Sequence, residues 1–445
     1  MNEAQQFKQR IYEMLMASQF WPPEVMLAYQ RTQLTQLLLH ARENVPFYKS
    51  RLDPVFKKNG DIDWDRWHEI PIVTRVDLRD RRSELLATKL PPDHGPSMPY
   101  STSGSSGIPI AIEITRLWGQ ANRAALRRFH KLHGIVSTKS SASFSHSLKS
   151  DELRTTDYLS KAKEHHSNGA ATAARELVLP RSLAEGRKLD ILEAEGVDYI
   201  FDIPNNVEVL AIANLARKNP VRLEALIFHG QGVTLEQRNL FQRSFGARSL
   251  PIYSSNEGGL MGYQCVNNHH YHLNPEMVFL EILTAEGRAC RPGEAGRVIV
   301  TPFFSTALPL VRYEQGDTAE FLPSCTCGSK LPLIGNISGR QDQFFRFPEG
   351  IRTATGLSQA LLRENLNALA FQLAQVETYK LELRYVPADK NRPINPDPIV
   401  AHLRELIHPK LDVVFKPVET VPLNAGGKHQ RIVCEISPRA SRAPE

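Results

Sequence analysis

Only five cysteines occur among the 445 residues, too few and odd in number for a disulfide framework to hold a chain of this size together. Reduced thiols or a metal site are the expected uses of Cys265, Cys290, Cys325, Cys327 and Cys434. No apolar run approaches the roughly 20 residues that a bilayer-crossing helix needs. The opening stretch, MNEAQQFKQRIYEMLMASQFW, also lacks the apolar centre and small-residue cleavage site of a secretory signal. The expectation is a soluble, cytoplasmic protein with no membrane partner. A basic arm is missing as well: 54 Lys and Arg face 48 Asp and Glu, and the surplus of six is spread along the chain. No pattern of interleaved aromatic and basic residues favours nucleic acid, so small anionic ligands are the better match.

What is present is enough apolar material, 41% of a long chain, for at least two packed units. Leu34, Leu37, Leu38 and Ala41 recur at helical spacing, and that helix is expected to stop before Val45-Pro46, because a residue preceding proline is pushed out of the helical region. Ile70 to Val73 then reads as a short extended piece, and Thr74 to Asp77 as the capped start of a helix. From about 100 to 340, short apolar runs such as Val298 to Val300 alternate with helical segments at 206–217 and 234–244, the signature of an α/β sheet. Residues 146–176 are polar and read as a surface excursion. After Gly339 a strand (Tyr379, Leu381, Leu383, Tyr385), a helix (Ile399, Leu403, Leu406) and a strand near Val413 suggest a separate α+β unit.

The stretch Tyr100 to Pro109 (YSTSGSSGIP) combines glycines with small hydroxyl residues, which lets backbone N–H groups approach an anion closely. It is not a Walker A loop, since no Lys and Ser/Thr pair follows. Four further motifs come in order: Tyr253 to Gly259 (YSSNEGG), Arg312 to Asp317 (RYEQGD), Gly339 to Asp342 (GRQD) and Pro422 to Arg431 (PLNAGGKHQR).

Taken together these motifs resemble those of the adenylate-forming superfamily of acyl-CoA synthetases, adenylation domains and luciferases. Leu37 to Tyr48 (LLLHARENVPFY) and Ile70 to Leu78 (IPIVTRVDL) are similar to the N-terminal segment of its phenylacetate-CoA ligase-like branch. The resemblance covers nearly the whole chain. It implies an α/β fold: a large multi-sheet N-terminal domain over 1–339, entered by a helical segment at 1–95, and a small mobile α+β lid domain over 340–437 before a disordered tail at 438–445. It also implies an enzyme that uses ATP and Mg²⁺ to convert a small carboxylic acid, aryl by default, to its acyl-adenylate, and then transfers the acyl group to coenzyme A.

By the same resemblance Thr102, Ser103, Gly104, Ser105, Ser106 and Gly107 hold the ATP phosphates, Tyr253 lies against the adenine and Gln231 near it. Asn256 stands where a phosphate-contacting hydroxyl is usual, Glu257 binds Mg²⁺, Asp317 takes the ribose hydroxyls, Arg340 follows at the ribose and Asp342 marks the hinge. Lys428 is the catalytic cation, because attack of a carboxylate on the α-phosphorus brings two anions together. A carboxylate with no nearby cation, as Glu257 is expected to be, invites a divalent ion. Plainer roles stay open: a capping or surface carboxylate for Glu257, a turn residue for Asp317, a core aromatic for Tyr253, an exposed turn around Lys428. Ile108 replaces a lysine common in the family, Ser254 and Asn256 replace Gly and Thr or Ser, and Gln315 replaces Thr.

Cys265, His272, Cys325 and Cys327 could form a closed zinc site, with Gly328 suited to the turn around the metal. His272 is preferred to His269 or His270 by its position relative to relatives in the branch. Unliganded thiols are the alternative. Arg123, Arg127 and Lys131 recur every fourth residue, either as a stripe for coenzyme A or a carrier protein or as a solvated helix face. Two rivals to the ligase reading are transfer to an amine or a separate carrier protein, no carrier domain being expected after Lys428, and a catalytically silent nucleotide-binding or zinc-stabilised scaffold. The sequence is silent on oligomeric state.

Overall fold

The computed structural model describes residues 3–101, 111–136, 138–145, 148, 176–338, 344–353, 359–389, 392–422 and 431–436, which fall into two compact units. It is a mixed α/β structure, as the sequence predicts.

The first unit joins the N-terminal residues and the helix Arg116–Leu132 to residues 250–338. Its strands pair antiparallel in the order Val278–Leu283, Gly296–Pro302, Tyr313–Leu322, Leu333–Ser338, Tyr271–Leu273, Gly259–Gln264, Arg248–Ser255. Helix Pro23–Asn44 buries Leu34, Leu37, Leu38 and Ala41, and ends at Val45, which is extended ahead of Pro46. That turn sends Tyr48 into the interior, where its hydroxyl donates to Pro309 O at 3.0 Å and accepts from Val311 N at 2.9 Å. Leu37, Leu38 and Ala41 share a core with Val278, Val298 and Val300, so the helical entry packs on the sheet instead of standing apart.

The segment Ile70 to Val73 is extended, and Val73 bonds the chain on both sides of Tyr313: its N–H donates to Arg312 O and its carbonyl accepts from Glu314 N. Arg312 takes a positive φ of 54° there, strained for a residue with a side chain. Its guanidinium holds that shape by bonding the carbonyls of His68 and Ile70 at 2.7 Å and pairing with Glu281. Thr74 then caps the helix Arg75–Asp80 through a reciprocal box with Asp77.

In the second unit a parallel sheet runs Glu176–Pro180, Ser141–Ser145, Tyr199–Asp202, Ala225–Phe228, with helices Glu185–Ala194, Pro204–Leu215 and Leu235–Phe245 covering it. Phe228, Phe241 and Phe245 are the largest fully buried members of that core. A second sheet orders Asp412–Pro417, Lys380–Pro387, Ala368–Glu377 and Ile432–Cys434, with Leu381, Leu383, Ile399 and Leu403 packed beneath it. Glu208 on helix Pro204–Leu215 accepts from Gln237 Nε2 at 2.7 Å and pairs with Arg431, three residues beyond Lys428. No helix among the described residues is long and apolar enough to cross a membrane.

Candidate active site and metal centre

Thr102 to Gly107, Arg340, Asp342 and Lys428 lie outside the described residues, as does most of the polar excursion at 146–176. Of the remaining nucleotide residues of the first unit, Tyr253, Asn256 and Glu257 lie at the end of one strand and Asp317 comes from another, Tyr313–Leu322. Strand Arg248–Ser255 carries Tyr253 inward and ends in a turn at Asn256 and Glu257. Gly258 and Gly259 follow because side chains there would strike Met261 Sδ and Asn122 Oδ1, each 2.5 Å from a built Cβ, and because Gly259 has φ +71°. Asn122 locks this turn by accepting from Leu260 N at 2.6 Å.

Tyr253 Oη donates to Asp317 Oδ2 at 2.8 Å, and both residues are buried. Gly316, just before Asp317, has φ +84°. Gln315, in place of threonine, is buried and accepts from Ser255 Oγ at 3.2 Å, so this departure is absorbed into the turn. Glu257 is 1% exposed and has Arg75 Nη1 at 3.9 Å from its Oε1. This corrects the expectation of a carboxylate with no cation near it: the partner comes from 182 positions earlier, delivered by the pairing of Val73 with the Tyr313 strand. A single buried carboxylate fits a magnesium ion that takes most of its other ligands from phosphate and water. Gln231 belongs to the second unit, on the loop after strand Ala225–Phe228, and its Oε1 is buried without a hydrogen-bond partner among the described residues.

The four proposed metal ligands do come together, all donor atoms lying within 4.8 Å of one another. The hairpin pairing Tyr263 with His272 sets Cys265 beside it, and the pairing of Leu333 with His272 brings in the loop with Cys325 and Cys327. Cys265 Sγ is 3.4 Å from Cys325 Sγ, and His272 Nε2 is 3.2 Å from Cys327 Sγ. Edges of roughly 3.3–3.8 Å are what metal bonds of 2.0–2.3 Å give in a tetrahedron, so the set fits zinc. His272 Nδ1 sits 3.3 Å from Leu331 O, the partner that directs Nε2 to a metal, and burial holds its pKa below the ordinary value, keeping it neutral. Asn267 N and Asn268 Nδ2 donate to the sulfurs of Cys265 and Cys325. Burial pushes the Cys265 thiol up to about 12 without metal, whereas hydrogen bonds, chiefly from the backbone N–H of Cys327, outweigh burial and lower that of Cys325. Gly328 has φ +91°, as the turn requires.

Beyond Gly328, Lys330 N donates to Gln19 O at 2.8 Å, which ties the metal loop to the end of helix Glu3–Ser18. Arg128, absent from the expected stripe, is fully buried beside it. It bonds Leu15 O and pairs with Glu276, which Ser18 Oγ also reaches. The stripe is split: Arg127 donates to Gln9 Oε1 and lies 4.0 Å from the centre of the Tyr12 ring, packed against the first helix. Arg123 and Lys131 remain exposed.

No protein-family model matches the chain. A phenylacetate-coenzyme A ligase of Thermus thermophilus is 22% identical over 93% of this chain and 97% of its own length. One from Escherichia coli is 24% identical over 71% of each. Among solved structures, a 2-hydroxyisobutyryl-CoA ligase in complex with its acyl-adenylate superposes with a TM-score of 0.70 at 17% identity, covering 96% of this chain and 94% of that one.

Proposed function

Because this chain belongs to the adenylate-forming superfamily, in its phenylacetate-CoA ligase-like branch, we propose that it activates a carboxylic acid with ATP and passes the acyl group to coenzyme A. The observation that carries this reading is the buried hydrogen bond by which Tyr253, four residues before Glu257, holds Asp317 of the strand Tyr313–Leu322. Asp317 accepts the ribose hydroxyls while Tyr253, held by its hydrogen bond, presents a ring face to the adenine. Gln231 offers its buried carbonyl oxygen to the exocyclic amine. Mg²⁺, when bound by Glu257, neutralises phosphate charge. Arg75 Nη1, 3.9 Å from Glu257, adds a positive charge beside that carboxylate, which would serve the phosphates where Ile108 replaces a lysine. Asn256 provides an amide donor where a hydroxyl is usual.

Lys428 bridges the attacking carboxylate and the α-phosphate in the transition state, where both anions crowd one phosphorus. Residues 340–437 act as a lid that turns about Asp342, first presenting Lys428 and then a face for the thiol. The same proposal assigns zinc to Cys265, His272, Cys325 and Cys327 in a structural role. These four donors would fill the coordination of a zinc ion, which would hold the two loops together and, through Lys330, the end of the first helix.

Transfer to coenzyme A is tested by incubating the protein with ATP, Mg²⁺, coenzyme A and a panel of aryl and aliphatic acids, with mass detection of thioesters. One acid class should yield a thioester. Acyl-adenylate without thioester would shift the acceptor to a carrier protein or an amine.

A further inference from the structure

In the parallel sheet of the second unit the chain order across the sheet is second, first, third, fourth strand. The chain leaves the first strand, Ser141–Ser145, toward one edge and later builds on its other side. Open α/β sheets take ligands at the carboxyl ends of the strands where the order reverses, here the first and third strands. Polar side chains meet at those two strand ends.

Arg181 follows the second strand, its N–H bonded to Ser145 O at 2.8 Å. Its side chain crosses the end of the first strand. Nη2 donates to Phe144 O at 2.7 Å and to both oxygens of Asp202, at the end of the third strand, at 3.1 Å. Asn206, in the first turn of helix Pro204–Leu215, donates Nδ2 to Asp202 Oδ1 at 2.7 Å, and Ile203 N adds another bond to the same oxygen. Asp202 is 1% exposed. Its negative charge fixes the amide of Asn206, since turning it over would set carbonyl oxygen against carboxylate.

Two polar atoms are then left over. Asn206 Oδ1 and Arg181 Nε are both shielded from solvent, and neither has a hydrogen-bond partner among the described residues. Folded proteins seldom leave buried donors and acceptors unmatched unless a ligand or water completes them. We infer that Arg181 and Asn206, braced by Asp202, form a polar subsite that selects a carboxylic acid bearing a hydroxyl group. A hydroxyl donates to Asn206 Oδ1 and accepts from Arg181 Nε–H. A carbonyl or carboxylate leaves the amide oxygen unmatched, and an ammonium leaves Nε–H unmatched and faces the guanidinium charge. The inference rests on the ligase reading, which makes an acid the substrate recognised here.

The test is acid-dependent exchange of pyrophosphate into ATP for matched pairs of acids: phenylacetate against its ring- and α-hydroxylated forms, and short aliphatic acids against their 2- and 3-hydroxy forms. At least one hydroxylated member should exceed its parent by about tenfold or more in kcat/KM, and Asn206→Ala should bring that ratio toward one. Parent acids used as well as every hydroxylated partner would overturn the subsite while leaving the ligase reading intact. So would an unchanged ratio in Asn206→Ala. If that variant does not fold, the wild-type panel decides alone. Exchange with no acid at all would overturn the ligase reading, and the subsite with it.

Discussion

Tyr253 and Asp317, 64 positions apart, meet in a 2.8 Å hydrogen bond from the phenol to the carboxylate. The bond makes the two substitutions separable. Tyr253→Phe keeps the ring and removes one neutral donor, so ATP affinity should fall by no more than about tenfold. Asp317→Ala removes the ribose acceptor and should weaken ATP by about tenfold to a hundredfold, the range for hydrogen bonds to a charged group. Calorimetric titration of both variants with ATP checks the order.

The metal centre predicts about one zinc per chain by elemental analysis of protein purified without added metal. Cys325→Ser should lower both zinc content and thermal midpoint. Because Lys330 ties the loop to Gln19, the variant should also open helix Glu3–Ser18 to hydrogen exchange. A chain without zinc and unchanged by the substitution would return these cysteines to free thiols.

Arg128 and Glu276 are both fully buried and paired at 2.7 Å. Glu276→Gln leaves an uncompensated guanidinium in the core and should destabilise by about 3–5 kcal/mol. Arg128→Met with Glu276→Leu should cost less than either single change, since no lone charge remains. Denaturant midpoints of the three variants check this.

Local chemistry was readable ahead of the structure where its cause lies within a few residues. Val45 before Pro46 ends its helix, Thr74 and Asp77 form the cap, and Gly328 turns the metal loop. His272 could be told from His269 and His270 only through the family pattern; its ring nitrogen lies with the three thiols because Tyr263 pairs with it across the hairpin. Contacts set by tertiary pairing were not readable. Arg75 reaches Glu257 only because Val73 pairs beside Tyr313, and Arg128, one position off the Arg123–Arg127–Lys131 spacing, gives no periodic sign of being buried. Arg181 and Asp202 carry no motif at all, and nothing near either residue in sequence marks their meeting.

The capping box carries a pH signature. Burial alone would raise the Asp77 carboxyl, yet hydrogen bonds from Thr74, with Arg51 and Arg81 nearby, hold it below the ordinary value. A depressed carboxylate contributes stability that is present above the unfolded pKa, about 3.9, and is lost as pH falls through the folded one. Asp77→Asn should therefore lower the thermal midpoint at pH 7 and bring its acid dependence below pH 4 closer to flat than in the wild type. Thr74→Ala should cost about 1 kcal/mol.

The central claim is adenylation, and Lys428→Ala tests it most directly. With an acid that supports pyrophosphate exchange into ATP, the variant should lose at least a hundredfold in exchange rate while still binding ATP, because the lysine acts on the transition state. Exchange at the wild-type rate in Lys428→Ala would contradict the account. Failure of the wild-type chain both to exchange with any acid and to bind ATP would replace the ligase with a scaffold.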